Sequence, residues 1–165
     1  VERFTRQQLS ELSVAYWSEH CACVSGPVMC LVDSGDQHYL YAGFLASLFP
    51  QAKFLYCEQP EELNAVSLLL DGRQKPPCSG LFDVASCEVF LSQCAPLIQH
   101  WQKTIPGWLA VSLDDLLADP VQTWTQIFQF VQLEYTENSR ILLETQQAAL
   151  KTLQLKTLNG CRRSV

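Results

Sequence analysis

Four places in this chain carry side chains able to hold an anion or move a proton. D-S-G-D-Q-H (Asp33 to His38) closes an apolar run with carboxylates and an imidazole, E-Q-P-E-E (Glu58 to Glu62) is densely acidic, S-L-D-D (Ser112 to Asp115) pairs a hydroxyl with two carboxylates, and Arg162-Arg163 ends the chain in guanidinium groups. A histidine changes charge near neutrality and can serve as a general base, which makes His38 a candidate for proton transfer. The competing reading is that His38 caps a helix. Asp114, Asp115 and Asp119 are acidic enough to suggest a metal, although carboxylates at a helix start are better explained by capping and by the favourable field there.

These residues gain meaning from the elements around them. Thr5 with Gln8 three residues on forms a capping box, and Leu9, Leu12 and Tyr16 recur at helical spacing, which predicts a helix over about 6–20. The run G-P-V-M-C-L-V-D, bounded by Gly26-Pro27 and Ser34-Gly35, predicts a strand buried on both faces, with Asp33 at its carboxyl end. His38 to Phe49 reads as a helix stopped by Pro50, Lys53 to Cys57 as a second strand, and Leu63 to Leu70 as a helix. Asp71 to Gly80 is a loop by its Gly and Pro content. A long helix over about 83–104, bent at Pro96, precedes a third strand, Trp108 to Leu113. Helices over 121–131 and about 137–153 complete the chain. Strands joined by helical crossovers imply a parallel sheet and a three-layer α/β domain. Ligands of such sheets bind beyond the carboxyl ends of the strands, the rule that selects the four places above.

Composition bounds the partners. The 165 residues are 48% hydrophobic, enough for one domain with a sizeable core. Eleven basic against seventeen acidic residues give a net charge of −6, which disfavours nucleic acid and anionic membranes. No apolar run approaches the roughly 20 residues of a membrane span, and Val1 to Ser10 lacks the features of a signal peptide. The chain is therefore expected to be soluble and cytoplasmic. Its eight cysteines are dispersed, several within apolar runs, and read as reduced, mostly buried thiols rather than as a disulfide framework. Cys21 and Cys23, with His20 beside them, lack a second pair at zinc-ligand spacing, so no metal is expected.

The ungapped span DSGDQHYLYAGFLASLFPQAKFLYCEQPEELNAVS resembles a stretch of the sulfotransferases that reads D-K-x-P-x-N-(F/Y)-L-x-x-G-L-I-x-x-L-F-P-x-A-(R/K)-F-I-x-x-x-R-D-P-x-D-x-x-x-S. The relevant branch is the bacterial type that often follows tetratricopeptide repeats, related to tyrosylprotein sulfotransferases. FTRQQLSELSVAYWSEH is similar to its L-T-x-E-Q-L-x-x-L-x-x-x-Y helix, and HWQKTIPGWLAVSLDDLLADP to H-W-R-x-x-L-P-G-x-x-L-x-V-R-Y-E-D-L-V-A-D-P. CRRSV resembles the start of Y-x-x-S-V-G-R-W. The resemblance covers nearly the whole chain.

It implies a P-loop-like α/β fold that binds 3′-phosphoadenosine 5′-phosphosulfate and transfers its sulfuryl group to a hydroxyl or amine. The matching first strand and Gly-rich phosphosulfate loop would fall before Val1, so the domain is expected to be incomplete at both ends and inactive by itself. The positions that clasp the 3′-phosphate fall at Gln59, where the family has arginine, and at Ser67, with Arg162 and Arg163 near them; Asp33 and His38 fall near the acceptor. The family lysine at the sulfuryl group matches Ser34. Replacing a charge-assisted contact worth about 1.5 to 3 kcal/mol by a neutral amide predicts a nucleotide site roughly ten- to hundredfold weaker. The expected partners are thus a nucleotide co-substrate and an unknown acceptor. The alternative is a catalytically dead interaction module that docks protein through Trp101, Trp108 and Trp124.

Overall fold

The computed structural model describes residues 4–22, 25–28, 30–35, 38–60, 64–68, 83–144 and 146. It is a helix-dominated α/β arrangement in which two parallel strands are flanked by helices. Helix α1 spans Arg6–Cys21 and starts with the complete capping box: the Thr5 side chain accepts from the Gln8 amide, and the Gln8 side chain accepts from the Thr5 amide. Both bonds satisfy amides that have no partner inside the helix, which is why four local residues suffice to place its start. Helix α2 spans His38–Leu48 and ends where Pro50 forbids continuation.

Strand β1 (Phe54–Glu58) pairs in parallel with β2 (Trp108–Ser112), Phe54 opposite Trp108 and Glu58 opposite Ser112. The connection between them contains a helical stretch at 64–68 and helix α3 (Val84–Thr104). Pro96 lies inside α3 without ending it, on an exposed face where the carbonyl it leaves unbonded can be met by water. After β2 the chain enters α4 (Leu113–Ala118) at once, then α5 (Pro120–Phe130), which opens with Pro120 in the first turn behind the Asp119 cap. A last helical stretch covers 137–144, where Arg140 pairs with Glu137 and Glu144.

The core is small. Ala42, Leu48, Ala65, Cys87, Cys94, Ile105, Val111, Thr123 and Ile127 are buried, drawn from α2, the 64–68 stretch, α3, β2 and α5. None of it comes from α1, which leans on α2 through Phe4 against Phe44 and Tyr16 against Phe49.

Three expectations need correction. The run at 27–32 is not a strand: its described residues are neither helical nor paired, and Val32 is 85% exposed. Apolar composition makes burial favourable but supplies no ladder partner, and among the described residues β1 pairs with β2 alone. Among the described residues the thiols are free but not mostly buried. Cys87 and Cys94 are buried, whereas Cys30 and Cys57, expected inside strands, are exposed. Leu113, expected to end the third strand, instead begins α4, because the Ser112 side chain accepts from the Asp114 amide and caps a helix there. The loop 71–80, the end of the last helix, and Cys23, Cys78 and Cys161 lie outside the described residues.

Asp83 caps α3, its side chain accepting from the Ser86 amide at 2.6 Å. That bond holds the carboxyl below its ordinary value. A carboxylate depressed in the folded state adds stability above its unfolded value, about 3.9, and loses it as pH falls through the folded value. The melting temperatures of wild type and Asp83→Ala are therefore expected to differ at pH 7 and to converge below about pH 4. A gap that persists unchanged at pH 3 would show that the cap does not depend on the charge.

Candidate functional site

Two independent contacts set the direction of α2 against the sheet. The Tyr39 hydroxyl, near the start of α2, lies 3.5 Å from Cys94 Sγ, and Cys94 is among the groups close enough to perturb Tyr56 in β1. Toward the other end of α2, Gly43 and Ser47 share a wall with Phe54, Trp101 and Gly107. Helix α2 therefore runs antiparallel to β1, and its amino end lies toward the strand's carboxyl end. The described parts of the loops selected from sequence, 33–35 and His38, 58–60, and 112–115, are thus gathered on one side of the sheet.

The best-defined cluster there joins Asp33 and His38, the two candidate catalytic residues, with Tyr16 and His20 of α1. The Tyr16 hydroxyl donates to Asp33 Oδ2. His38 Nε2 lies 3.6 Å and His20 Nε2 3.7 Å from the same oxygen. Each imidazole is oriented by backbone. His20 Nδ1 lies 2.8 Å from the Tyr16 carbonyl, to which it must donate, and the His20 ring stacks on Tyr16 with centroids 4.1 Å apart. His38 Nδ1 accepts from the Gly35 amide at 3.2 Å, while the His38 amide donates to the Gly35 carbonyl.

These bonds assign the tautomers. A neutral His38 carries its proton on Nε2, facing Asp33, because Nδ1 is already an acceptor. A neutral His20 carries its proton on Nδ1, leaving an Nε2 lone pair toward the carboxylate. His38 therefore accepts from a backbone amide ahead of α2 while its other nitrogen approaches Asp33, and the nitrogen lone pair not taken up by the backbone belongs to His20. Sequence reasoning passed over His20 and Tyr16 as partners of Asp33. Their i, i+4 spacing placed them on one helix face, but only the packing of α1 against α2 brings that face to Asp33. The cluster is not arranged as a metal centre: a metal on His38 Nε2 would require a proton on Nδ1, where the Gly35 amide already points. Among the described residues no group of three or more His, Cys, Asp or Glu side chains is disposed to hold a metal ion.

The second region follows β1. Gln59 is exposed directly after the strand, and Ser67 is half-buried in the 64–68 helical stretch beyond Pro60. Burial raises the pKa of the Tyr56 phenol above its ordinary value, with further contributions from the Glu58, Cys94 and Cys57 charges. Glu61, Glu62, Arg162 and Arg163 lie outside the described residues. Ser34, in the first region, is exposed beside Asp33.

The remaining candidates have structural roles. Asp119 caps α5 by accepting from the Gln122 amide at 3.0 Å, and Asp114 and Asp115 occupy the first turn of α4. Trp101 packs its ring on Gly43 and donates to the Tyr39 carbonyl at 2.7 Å. Trp108 stacks on Phe54, its Nε1 buried without a partner among the described residues, and Trp124 is half-buried beside Tyr135 and Arg140. The exposed aromatic surface lies elsewhere, on Phe4, Trp17, Tyr41 and Phe44.

Comparison of the chain with protein-family models, with curated proteins and with solved structures found no match. Among the described residues no helix is long and apolar enough to cross a membrane.

Proposed function

We propose that the chain is a sulfotransferase-like domain whose intact parent transfers a sulfuryl group from 3′-phosphoadenosine 5′-phosphosulfate to a hydroxyl or amine. In this reading the fold is a P-loop-like one short of its first strand and phosphate loop, Gln59 and Ser67 form a weakened 3′-phosphate half-site, and Asp33 and His38 face the acceptor. The observation that supports it most is the parallel β1–β2 pair with Glu58 opposite Ser112. That register opens the Gln59 loop beside the residues following β2, at the end of the sheet where α/β proteins bind ligands. The Asp33 cluster on the same side adds groups able to accept and relay a proton. The chemistry demands little covalent participation from the protein and much electrostatic stabilisation, so a chain with Gln59 and Ser34 in place of cations is expected to bind nucleotide weakly and to lack turnover alone.

Calorimetric titration with 3′-phosphoadenosine 5′-phosphate tests this. Weak binding is expected in wild type, lost in Ser67→Ala and strengthened about ten- to hundredfold in Gln59→Arg. Absence of binding in all three would remove the nucleotide reading.

The second reading, a noncatalytic interaction module, is favoured by the exposed apolar side chains of α1 and α2, Leu12, Val14, Trp17, Tyr41 and Phe44, together with Phe4 just ahead of α1. Scattered exposed apolar residues are ordinary, but this many on two adjoining helices fits a protein-facing surface. Binding in Gln59→Arg alone would point to this outcome, a sulfotransferase-like fold whose nucleotide site has been abandoned.

A further inference from the structure

We propose that the cavity at the amino ends of the two strands binds a small organic cation, a protonated amine on an apolar body. The inference stands apart from the sulfotransferase reading, because this cavity lies at the end of the sheet opposite the Asp33 and Gln59 loops. Its volume is about 460 Å³, within the range of small-molecule sites. Phe54, the first residue of β1, and Gly107, just ahead of β2, form one side of it. The last turns of α2 and α3 form the rest, through Ala46 and Ser47 on the one and Trp101 and Thr104 on the other. The last four carbonyls of a helix lack partners inside it, and its carboxyl end carries a partial charge of roughly −0.5. Two such ends meet at this cavity, so its field favours a cation.

The lining groups agree with that sign. Ser47 Oγ donates to the Gly43 carbonyl and Thr104 Oγ1 to the His100 carbonyl, each at 2.8 Å, so both hydroxyls present only lone pairs to a ligand. The Trp101 indole N–H is likewise committed, to the Tyr39 carbonyl, and Pro50 and Pro106 bring no amide proton. Among the described lining side chains only the His100 ring has a donor to spare, and none is Lys or Arg. Lys53, beside the cavity in sequence, holds its ammonium 5.4 Å from the centroid of the Phe130 ring, and Lys103 is exposed and not part of the lining. An anion would therefore meet acceptors alone, whereas an ammonium would find them as partners. Phe49, Phe54 and Trp101 supply aromatic walls that attract a cation and cover an apolar body. Each ring is already held from outside the cavity: Phe49 against Tyr16, Phe54 against Trp108, and Trp101 by the Tyr39 carbonyl. Walls fixed in this way lose little freedom when a ligand enters.

Titration of the full chain at neutral pH with phenethylammonium, 2-phenylethanol and 3-phenylpropionate, followed by amide NMR, provides the test, since these probes share a ring and differ in charge. The amine is expected to shift the amides of Ser47, Phe49, Ile105 and Gly107 together with the Trp101 indole N–H. It is also expected to bind about tenfold more tightly than the alcohol or the carboxylate. Ser47 is exposed, so Ser47→Lys and Ser47→Glu are compatible with the fold, and both lose the same hydroxyl. The difference between them therefore isolates charge. Ser47→Lys is expected to weaken the amine about tenfold relative to Ser47→Glu. The proposal is overturned if the amine moves none of these resonances, if the alcohol or the carboxylate binds as tightly, or if the two variants bind the amine equally.

Discussion

Gly43→Val is expected to lower the unfolding free energy by about 2 to 3 kcal/mol, the upper range for forcing extra methyls into a filled contact. A Cβ at position 43 would lie 2.4 Å and 2.5 Å from the Cη2 and Cζ3 atoms of Trp101. The indole cannot simply retreat, because its Nε1 is held 2.7 Å from the Tyr39 carbonyl, one turn earlier on the same helix. Ordinarily a glycine inside a helix costs roughly 0.5 to 1 kcal/mol relative to alanine, so at an open site its replacement by alanine would stabilise. Here the clash is the larger effect, and valine offers less propensity gain to offset it. Thermal unfolding is expected to shift down by roughly 5 to 10 °C for a chain of this size. Trp101→Phe removes the offending ring atoms. The double variant Gly43→Val/Trp101→Phe should therefore be more stable than the sum of the two single effects. Strict additivity would show that α2 and α3 do not meet at this point.

The second large effect is expected at Gly107. Its Cβ would stand 2.6 Å from the Ala52 carbonyl oxygen, a backbone atom with no rotamer to change, while the Gly107 carbonyl accepts from the Phe54 amide at 2.7 Å. The approach of 52–54 to 107 sets the first rung of the sheet, Phe54 opposite Trp108, and with it the stack of those two rings. Gly107→Ala must either open that rung or bend the chain entering β1, at a cost of about 2 kcal/mol. Gly35→Ala supplies the contrast, because the atoms it would meet belong to the His38 ring, the far end of a side chain that can turn aside. Thermal melts should therefore show a clear loss for Gly107→Ala and little for Gly35→Ala. Equal losses would mean that the Ala52 to Gly107 contact does not hold the strands. Gly35→Ala has its own signature: the displaced imidazole leaves Asp33, which a change in the His38 ring resonances would report.

The difference between these two glycines bears on how the candidate site is built. His38 is held by a single loop through the Gly35 amide, and Asp33 by side chains from α1, an element that contributes nothing to the core. The site therefore depends on a helix that has no buried side chain. Loosening α1 by truncating Tyr16 or Phe4 would affect the cluster before it affected the sheet.

What the sequence determined by itself was whatever closes within a few residues. The start of α1 followed from Thr5 and Gln8, the stop of α2 from Phe49-Pro50, and the start of α5 from Asp119-Pro120, because each is a hydrogen bond or a steric block between near neighbours. Strands β1 and β2 were legible too, since a short apolar run between punctuating residues has few other uses. The same reasoning misplaced 27–32, whose composition matches a strand but whose pairing depends on a partner distant in sequence. It likewise misjudged Cys30 and Cys57, since a strand residue is covered only if its neighbours are present. The candidate site divides in the same way. Asp33 and His38 were visible as a loop at the end of an apolar run, but Tyr16 and His20 became their partners only through the packing of α1 on α2. Tertiary structure alone decided that, because capping and turn formation act over three or four residues, whereas a cluster that joins residue 16 to residue 33 requires two surfaces to meet.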